Sequence, residues 1–564
     1  MSISSTENGF AVFQPPGNLQ GLSPPNSFRA FAFQPREWRF DVSAYWGYNA
    51  RLFQFKEILQ MKKLLILAAV IAAMTLNAAL TPATLFSDHC VLQRGKKLPV
   101  WGKADPGATI TVAFAGQEKK AKADANGRWR VDLDPLEVSC EPREMKIAAE
   151  GATREEIVLK DVLVGVVWLG GGQSNMTFQM WPAPRIGAHA GREMNGYYDV
   201  MLTDAPLVRG VHMPQCWSAE EKDHDTLTWF TFTPANANDG MTFSGAAWHF
   251  AIRLNQALKI PVGVIESAWG GSCIETWIPP DGYAASENFK ELASKPIKTK
   301  PTPEQVANAK KSGRRPSLHQ QPRACWNAMI YPLAPYGIEG AIWYQGCANR
   351  GKWRQYYEML TALRTGWSKR FEVTDMPFFL CQITPFSYGF KTEEADPGET
   401  QIREEMERFG RSNGNNVGCA ILSDIGELDC IHPGDKRTVG TRLAALALNR
   451  IYGKKELKCD APVFDKAVLS ADGKHVTLSF QNVEGWCMKG AYEPRFELAG
   501  ADGTYTAVKS EIKANVKTID LMVPDGLNPT GVAYMRRSCV HGFLKNEAGL
   551  PLGPFRGKVE HQAE

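Results

Sequence analysis

The sequence lacks the features that mark several classes of protein. Its 564 residues carry no large excess of charge, with 64 basic and 60 acidic side chains and a net charge of +4. This balance argues against a nucleic-acid partner held by a strong basic field. The 12 cysteines include no Cys-x-x-Cys pair, so neither a zinc site nor a dense disulfide framework is indicated. Hydrophobic residues at 44% and charged residues at 22% exclude a disordered chain.

The apolar run at residues 64–74 is too short for a comfortable transmembrane helix. It follows two lysines after Met61 and leads to small residues that end at Ala79, which is the layout of a secretory signal peptide. We therefore predict a signal peptide over residues 61–79 and export to the periplasm or the extracellular space, with no stable membrane insertion after cleavage. Residues 1–60 are interpreted as an upstream extension from a mis-assigned start. The alternative is a genuine N-terminal extension with an internal apolar helix.

Periodicity predicts three regions after residue 79. Residues 80–160 and 454–564 alternate apolar and polar side chains between turn signals, which predicts two small β domains of sandwich type. Residues 161–453 instead contain apolar runs of strand length separated by stretches with helical spacing. The predicted strands of this central region are residues 162–169, 262–265, 338–344, 378–383 and 417–422.

The central region is typical of an α/β domain with a parallel sheet. Its strands are apolar on both faces, and helical spacing recurs at residues 247–258, 356–367 and 439–446. Active sites in such domains lie beyond the carboxyl ends of the strands. Residues 294–316, rich in lysine, proline and threonine, are interpreted as a solvated surface insertion.

Four segments that follow predicted strands carry side chains suited to acyl transfer. Ser174 follows three glycines at the start of a helix, where a nucleophile can be presented next to free backbone N–H groups. Asp429 and His432 are three residues apart on one loop, where the carboxylate can orient the imidazole as a general base. Two further segments offer oxyanion donors: backbone N–H groups at Gly270 and Gly271, and the side-chain amide of Asn349.

Each segment also has an ordinary structural interpretation. Ser174 can be a helix N-cap, and Asp429 and His432 can be turn and capping residues. The glycines can belong to a plain loop, and Asn349 can be a turn residue. One nucleophile, one Asp–His pair and two sources of oxyanion donors at strand ends are together what acyl transfer requires.

The sequence blocks resemble those of the SGNH (GDSL-like) hydrolase superfamily, and most closely its sialate O-acetylesterase family of carbohydrate esterases. The resemblance runs in order from about Leu85 to Arg556. The main matching segments are LFSD at 85–88, PVWG at 99–102, GQSNM at 172–176, SAWGG at 267–271, IETW at 274–277, PLAPY at 332–336, WYQGCAN at 343–349, IHP at 431–433 with Lys436 and Arg442, and GLP at 549–551.

The resemblance implies an SGNH-hydrolase-like three-layer α/β domain flanked by the two β domains. It implies Ser174 as nucleophile, His432 as base, Asp429 as the partner of His432, and an oxyanion hole formed by the N–H of Ser174, Gly270 or Gly271, and Asn349. The chain departs from the family pattern at Cys347, Ala348 and Cys430. The last departure leaves Asp424 as a competing partner for His432. No metal or cofactor is expected, and the missing Gly-x-Ser-x-Gly elbow argues against the α/β-hydrolase fold.

The resemblance also implies an O-acetylated carbohydrate as the substrate, with sialic acid as the leading candidate. Trp269 is placed to stack on a sugar face, although a buried core position is the more common one for tryptophan. Arg350 is placed to meet a carboxylate, with a structural ion pair as the alternative. Gln173 and Gln345 complete the substrate-binding candidates. Two alternatives remain open: an esterase acting on acetylated xylan or another polysaccharide, and a non-catalytic carbohydrate-binding protein. The oligomeric state is not predicted.

Overall fold

A computed structural model describes the chain over eight stretches after residue 78. They are residues 79–151, 154–180, 196–313, 315–389, 398–487, 495–513, 516–537 and 542–561. The predicted extension at 1–60 and all of the predicted signal peptide except Ala79 lie outside the described residues, so both stay predictions. No helix among the described residues is long and apolar enough to span a membrane.

Seven strands open the described chain, and all but the second of them pair antiparallel with one another. They are β1 (Thr81–Pro82), β2 (Val91–Gln93), β3 (Leu98–Lys103), β4 (Thr109–Phe114), β5 (Gln117–Lys122), β6 (Arg128–Leu133) and β7 (Ser139–Glu150). Strands β1, β3 and β6 form one antiparallel sheet, and β4 pairs antiparallel with β5 and β7. In β6 every second residue is buried, because its apolar side chains alternate with charged ones.

The next strand, β8 (Arg154–Gly172), is 19 residues long and pairs with four other strands, among them β2 in parallel. Its first part pairs antiparallel with β7, and its last residues pair in parallel with strands of the central sheet. It runs through residue 160, where the sequence predicts a domain border, with an irregular pairing to β7 beside Asp161, whose φ is 55°. The predicted borders at 160 and 453 stay predictions.

The central sheet holds every strand predicted for residues 161–453. Its other members are β9 (Ala205–His212), β10 (Phe230–Phe232), β11 (Val262–Ala268), β12 (Gly340–Tyr344), β13 (Phe378–Cys381) and β14 (Val417–Ala420). Parallel strands stand in the order β9, β11, β8, β12, β13, β14, and β10 pairs antiparallel with β9 at one edge. The predicted parallel α/β sheet is therefore confirmed, with strand ends shifted by a few residues.

Eight α-helices lie among the described residues, and several of them cover the two faces of this sheet. They are α1 (Gly196–Leu202), α2 (Ala237–Thr242), α3 (Gly245–Leu258), α4 (Pro280–Ala284), α5 (Pro303–Ser312), α6 (Trp353–Arg370), α7 (Glu399–Ser412) and α8 (Lys436–Arg450). Alternate residues of a strand point to opposite faces. Accordingly Val167 and Leu169 pack in one apolar core with residues of α6 and α7, while Val166 and Trp168 pack in a second core with residues of α3 and α8.

The three helical spacings seen in the sequence fall within α3, α6 and α8. Helix α5 was not predicted and lies in the segment interpreted as a surface insertion. A capping box between Thr302 and Gln305 closes its first turn, and Pro303 stands at its first position.

Strands return after α8. They are β15 (Val463–Leu469), β16 (His475–Gln481), β17 (Trp486–Cys487), β18 (Phe496–Ala499), β19 (Tyr505–Val508), β20 (Ser510–Ile512), β21 (Ile519–Met522), β22 (Gly531–Tyr534), β23 (Lys545–Asn546) and β24 (Phe555–His561). Eight of them form one sheet over a separate apolar core, and β17 pairs with β23. The eleven cysteines of the described stretches are all free thiols.

Candidate active site

Three of the predicted site segments follow three neighbouring strands at one edge of the sheet. In the pairing register, Gly172 at the end of β8 lies opposite Ala268 at the end of β11 and Tyr344 at the end of β12. The residues that follow these strands therefore leave the sheet side by side. This arrangement brings the segments of Ser174, Gly270 and Asn349 together.

The turn that carries Ser174 depends on a glycine at position 172. Gly172 has a φ of 142°, and a Cβ atom there would lie 2.3 Å from the carbonyl oxygen of Tyr344. The next residue, Gln173, bonds through its backbone N–H to the same carbonyl at 3.0 Å, and its side-chain oxygen accepts from the N–H of Gly346 at 3.1 Å. These contacts fix the turn to β12 and leave Ser174 partly exposed.

The glycine turn after β11 lies directly against Ser174. A Cβ atom built on Gly270 would be 3.5 Å from the Cβ of Ser174. The turn is anchored at Trp269, whose N–H donates to the carbonyl of Gly172 at 3.1 Å. Within the described residues, the backbone N–H groups of Ser174, Gly270 and Gly271 donate no hydrogen bond. Free donors beside a hydroxyl are what an oxyanion hole needs.

The side-chain amide of Asn349 is buried and held by its neighbours. Its oxygen accepts from the N–H of Ile274 at 2.9 Å and from the amide of Gln345 at 2.8 Å, and one amide N–H donates to Glu275 at 2.8 Å. The second amide N–H has no partner among the described residues. Asn349 is 2% exposed, so this remaining donor is fixed in direction.

Gln345 supports Asn349 from behind. Its amide nitrogen donates to Asn349 and to the carbonyl of Ser272 at 3.0 Å, and its oxygen accepts from the hydroxyl of Tyr356 at 2.7 Å. The side chain is fully buried and all of its polar atoms are engaged. This geometry favours a positioning role for Gln345 over the substrate contact suggested by the sequence.

Glu275 is a further member of the site, and its role was not predicted from the sequence. Besides Asn349 it binds the ammonium of Lys352 at 2.7 Å. Burial raises the pKa of Glu275, but the hydrogen bonds from Lys352 and Asn349 outweigh it, so that the pKa lies below the usual value. The carboxylate therefore stays ionised and keeps the Asn349 amide oriented. The only available signal was its place in the segment Ile274–Trp277.

The loop after β14 brings His432 to the same edge of the sheet. The side-chain amide of Asn175 donates to the carbonyl of Ile431 at 3.0 Å, and the ring of Phe178 lies 6.5 Å from the imidazole. Among the described residues, no hydrogen bond joins the Ser174 hydroxyl to His432. Catalytic hydrogen bonds are often long before substrate binds. Burial, assisted by the nearby charge of Lys436, lowers the pKa of His432 to about 4.

The two candidate acidic partners of His432 have different surroundings. Asp429 is exposed on the histidine loop. Asp424 has a buried side chain whose oxygens bind the guanidinium of Arg442 at 2.7 and 2.8 Å and the ammonium of Lys545 at 2.6 Å. Asp424 is thus occupied by two cations. Asp429 as the partner of His432 stays a prediction.

The substrate-binding candidates differ in exposure. Trp269 is half-buried and stacks on the ring of His319 at 4.3 Å, a neighbour that the sequence did not suggest. The guanidinium of Arg350 lies 3.4 Å above the ring of Tyr388. Trp277 and Trp343, which lie in two of the other matching segments, are fully buried. Among the described residues, no group of three or more His, Cys, Asp or Glu side chains is placed to hold a metal ion.

Comparison with known proteins finds relatives over most of the chain. The sialate O-acetylesterase of Mus musculus is 30% identical over 443 residues, which cover 71% of this chain and 78% of that protein. The sialate O-acetylesterase of Homo sapiens is 29% identical over 432 residues, covering 71% and 76%. A solved structure of a carbohydrate acetylesterase from Xanthomonas citri matches with a TM-score of 0.69 and 29% identity, over 85% of this chain and 99% of that chain. No protein-family model matches.

The fold, together with these relatives, defines the protein as a carboxylic ester hydrolase. The identity to the mouse protein and the share of both chains that is matched show the family more narrowly. The chain belongs to the sialate O-acetylesterase family. The family resemblance of the sequence motifs is thereby confirmed.

Proposed function

We propose that the protein is an exported serine esterase of the SGNH type that removes O-acetyl groups from sialic acid. The observation that carries the mechanism is that the Ser174 hydroxyl lies beside fixed donors that have no hydrogen-bond partner among the described residues. These are the N–H groups of Ser174, Gly270 and Gly271 and the remaining amide N–H of Asn349.

The reaction proceeds through an acetyl-serine intermediate. The Ser174 oxygen attacks the acetyl carbonyl while His432 takes the hydroxyl proton, and the fixed donors bind the negative oxygen that forms. The sugar alcohol leaves with the proton that His432 returns. Water then attacks the acetyl-enzyme by the same route. Asp429 orients the imidazole, a role supported by its place on the loop and by the occupation of Asp424.

The choice of sialic acid rests on the named relatives from mouse and human. Arg350 lies next to Asn349 and is the candidate contact for the sugar carboxylate. The structural match to a carbohydrate acetylesterase names no particular carbohydrate, and a polysaccharide such as acetylated xylan is the alternative substrate.

The proposal is tested by acetate release from O-acetylated sialic acid, acetylated xylan and an aryl acetate. We expect turnover of the sialic acid ester, and loss of turnover in Ser174→Ala. Ser470→Ala is the matched control, because the Ser470 hydroxyl bonds to Asp472 and His475 in the turn between β15 and β16. Preference for acetylated xylan would overturn sialic acid as the substrate but would leave the acetyl-serine mechanism in place. Turnover that survives in Ser174→Ala would overturn the nucleophile, and inactivity on all three esters would favour a carbohydrate-binding protein.

A further inference from the structure

Lys436 is a lysine with no exposure to solvent at the start of α8, four residues after His432. A buried ammonium is costly unless it is compensated by hydrogen bonds or by aromatic rings. Its Nζ donates to the carbonyl of Pro433 and lies 4.3 Å from the centre of the Phe178 ring and 6.0 Å from that of Tyr344. The cation is therefore held by three segments of the candidate site.

Each of the three contacts belongs to a different part of that site. Pro433 follows His432 directly, Phe178 lies four residues after Ser174, and Tyr344 ends β12 before Gln345. The lysine stem is confined as well, because a Cβ atom on Gly245 would lie 3.1 Å from the Cβ of Lys436. A side chain in this place fixes the histidine loop relative to the serine turn.

We propose that Lys436 is a positioning residue that ties the His432 loop to the Ser174 turn and keeps the imidazole in its uncharged, proton-accepting form. This inference rests on the proposed role of His432 as the base. The physical reason is the repulsion between a fixed ammonium and an imidazolium in a poorly solvated place. The histidine loop also carries the carboxylates of Asp424, Glu427, Asp429 and Asp435, and Asp424 is paired with Arg442 and Lys545. The described residues 174–180, whose Phe178 packs on the ring, carry no charged side chain.

The sign of the effect follows from the lowered pKa of His432. An imidazole whose pKa is depressed stays uncharged as the pH falls below the usual value of 6.5, and it gains its proton only near pH 4. Removal of the Lys436 charge raises the pKa of His432 partway back, because burial remains. The acid limb of kcat/KM then moves to higher pH.

The test uses the full chain with three substitutions at one position. Lys436→Gln removes the charge but keeps a donor for Pro433, Lys436→Met removes both, and Lys436→Arg keeps the charge. The matched control is Arg437→Met, which removes an exposed cation from the same helical turn, where it pairs with Asp199. The titration midpoint of the His432 imidazole is followed by NMR with labelled histidine, and kcat/KM for an aryl acetate is measured against pH.

We expect the midpoint to rise in the Gln and Met variants and to stay in place in the Arg variant and the control. At pH 5 we expect the Met variant to lose about tenfold or more in kcat/KM, since loop placement and protonation both suffer. An unchanged midpoint in both the Gln and Met variants, with folding verified by thermal unfolding, would overturn the inference. The NMR readout needs no turnover, so a protein without esterase activity would refute the proposed function while still deciding the effect of Lys436 on His432.

Discussion

At the scale of single residues, Asn349 illustrates how a site donor is prepared. Three hydrogen bonds to Ile274, Gln345 and Glu275 consume the oxygen and one N–H of its amide. What is left is one N–H of fixed direction next to a serine turn. Because its partners are already in place, little reorganisation is needed when negative charge develops on a substrate oxygen.

Asn349→Ala is therefore expected to lower kcat about 10²-fold or more, the usual cost of losing one oxyanion donor, with little change in KM. Steady-state hydrolysis of an aryl acetate measures the effect. Asn413→Ala removes a partly buried asparagine amide that bonds to Tyr357 and Phe409, and we expect it to keep the wild-type kcat. An Asn349→Ala enzyme with the wild-type kcat would exclude the amide from the oxyanion hole.

Some of these residues could be predicted from the sequence and others could not. Ser174, Gly270 and Asn349 stand just after apolar runs, and the ends of parallel strands meet at one edge of a sheet. The roles of Glu275 and Lys436 depend on which side chains fold against them from distant segments. Local periodicity contains no information on such contacts. The stacking of His319 on Trp269 could not be predicted for the same reason.

At the scale of elements, the site depends on where β8 stops. The strand ends at Gly172 because its backbone turns there with a positive φ, next to the carbonyl of Tyr344. The apolar run in the sequence predicted the strand but not its 19-residue length. The polar residues at its start are not part of that run, and they extend the strand by pairing with β7.

Gly172→Ala is expected to destabilise the protein by about 2 kcal/mol or more and to lower kcat/KM about 10²-fold. The added methyl group would stand 2.3 Å from a backbone oxygen that cannot move without displacing β12. Gly351→Ala is the control, because a Cβ atom there meets nothing within 4 Å. Chemical unfolding and aryl acetate hydrolysis report the two effects. Wild-type stability together with wild-type activity in Gly172→Ala would contradict this account of the turn.

At the scale of the whole molecule, one buried cluster joins the central sheet to the C-terminal strands. Asp424 follows β14, and it binds Arg442 on α8 and Lys545 on β23. Burial raises the pKa of Asp424, but the two cations outweigh it, so that the pKa lies below its ordinary value of 3.8. The stabilisation is therefore present above that value and is lost as the pH falls through the folded-state pKa.

Asp424→Ala is expected to lower the free energy of unfolding by about 3 kcal/mol, because two cations lose their shared partner. Arg130→Ala serves for comparison, since its pair with Glu372 is exposed and is expected to contribute less than about 1 kcal/mol. Urea unfolding at pH 7 measures both variants. In the absence of urea, Asp424→Ala should retain most of the wild-type kcat. If its kcat fell as far as that of a His432→Ala variant measured beside it, Asp424 would be the partner of His432.

Because β8 runs through residue 160, it limits where this chain can be recombined with the chain of a relative. The same 19 residues complete the antiparallel pairing with β7 and end two residues before Ser174. A recombination breakpoint near residue 160 would cut through this strand rather than through a linker. A chimera that is meant to preserve the serine turn is therefore expected to need the whole of β8 from one parent.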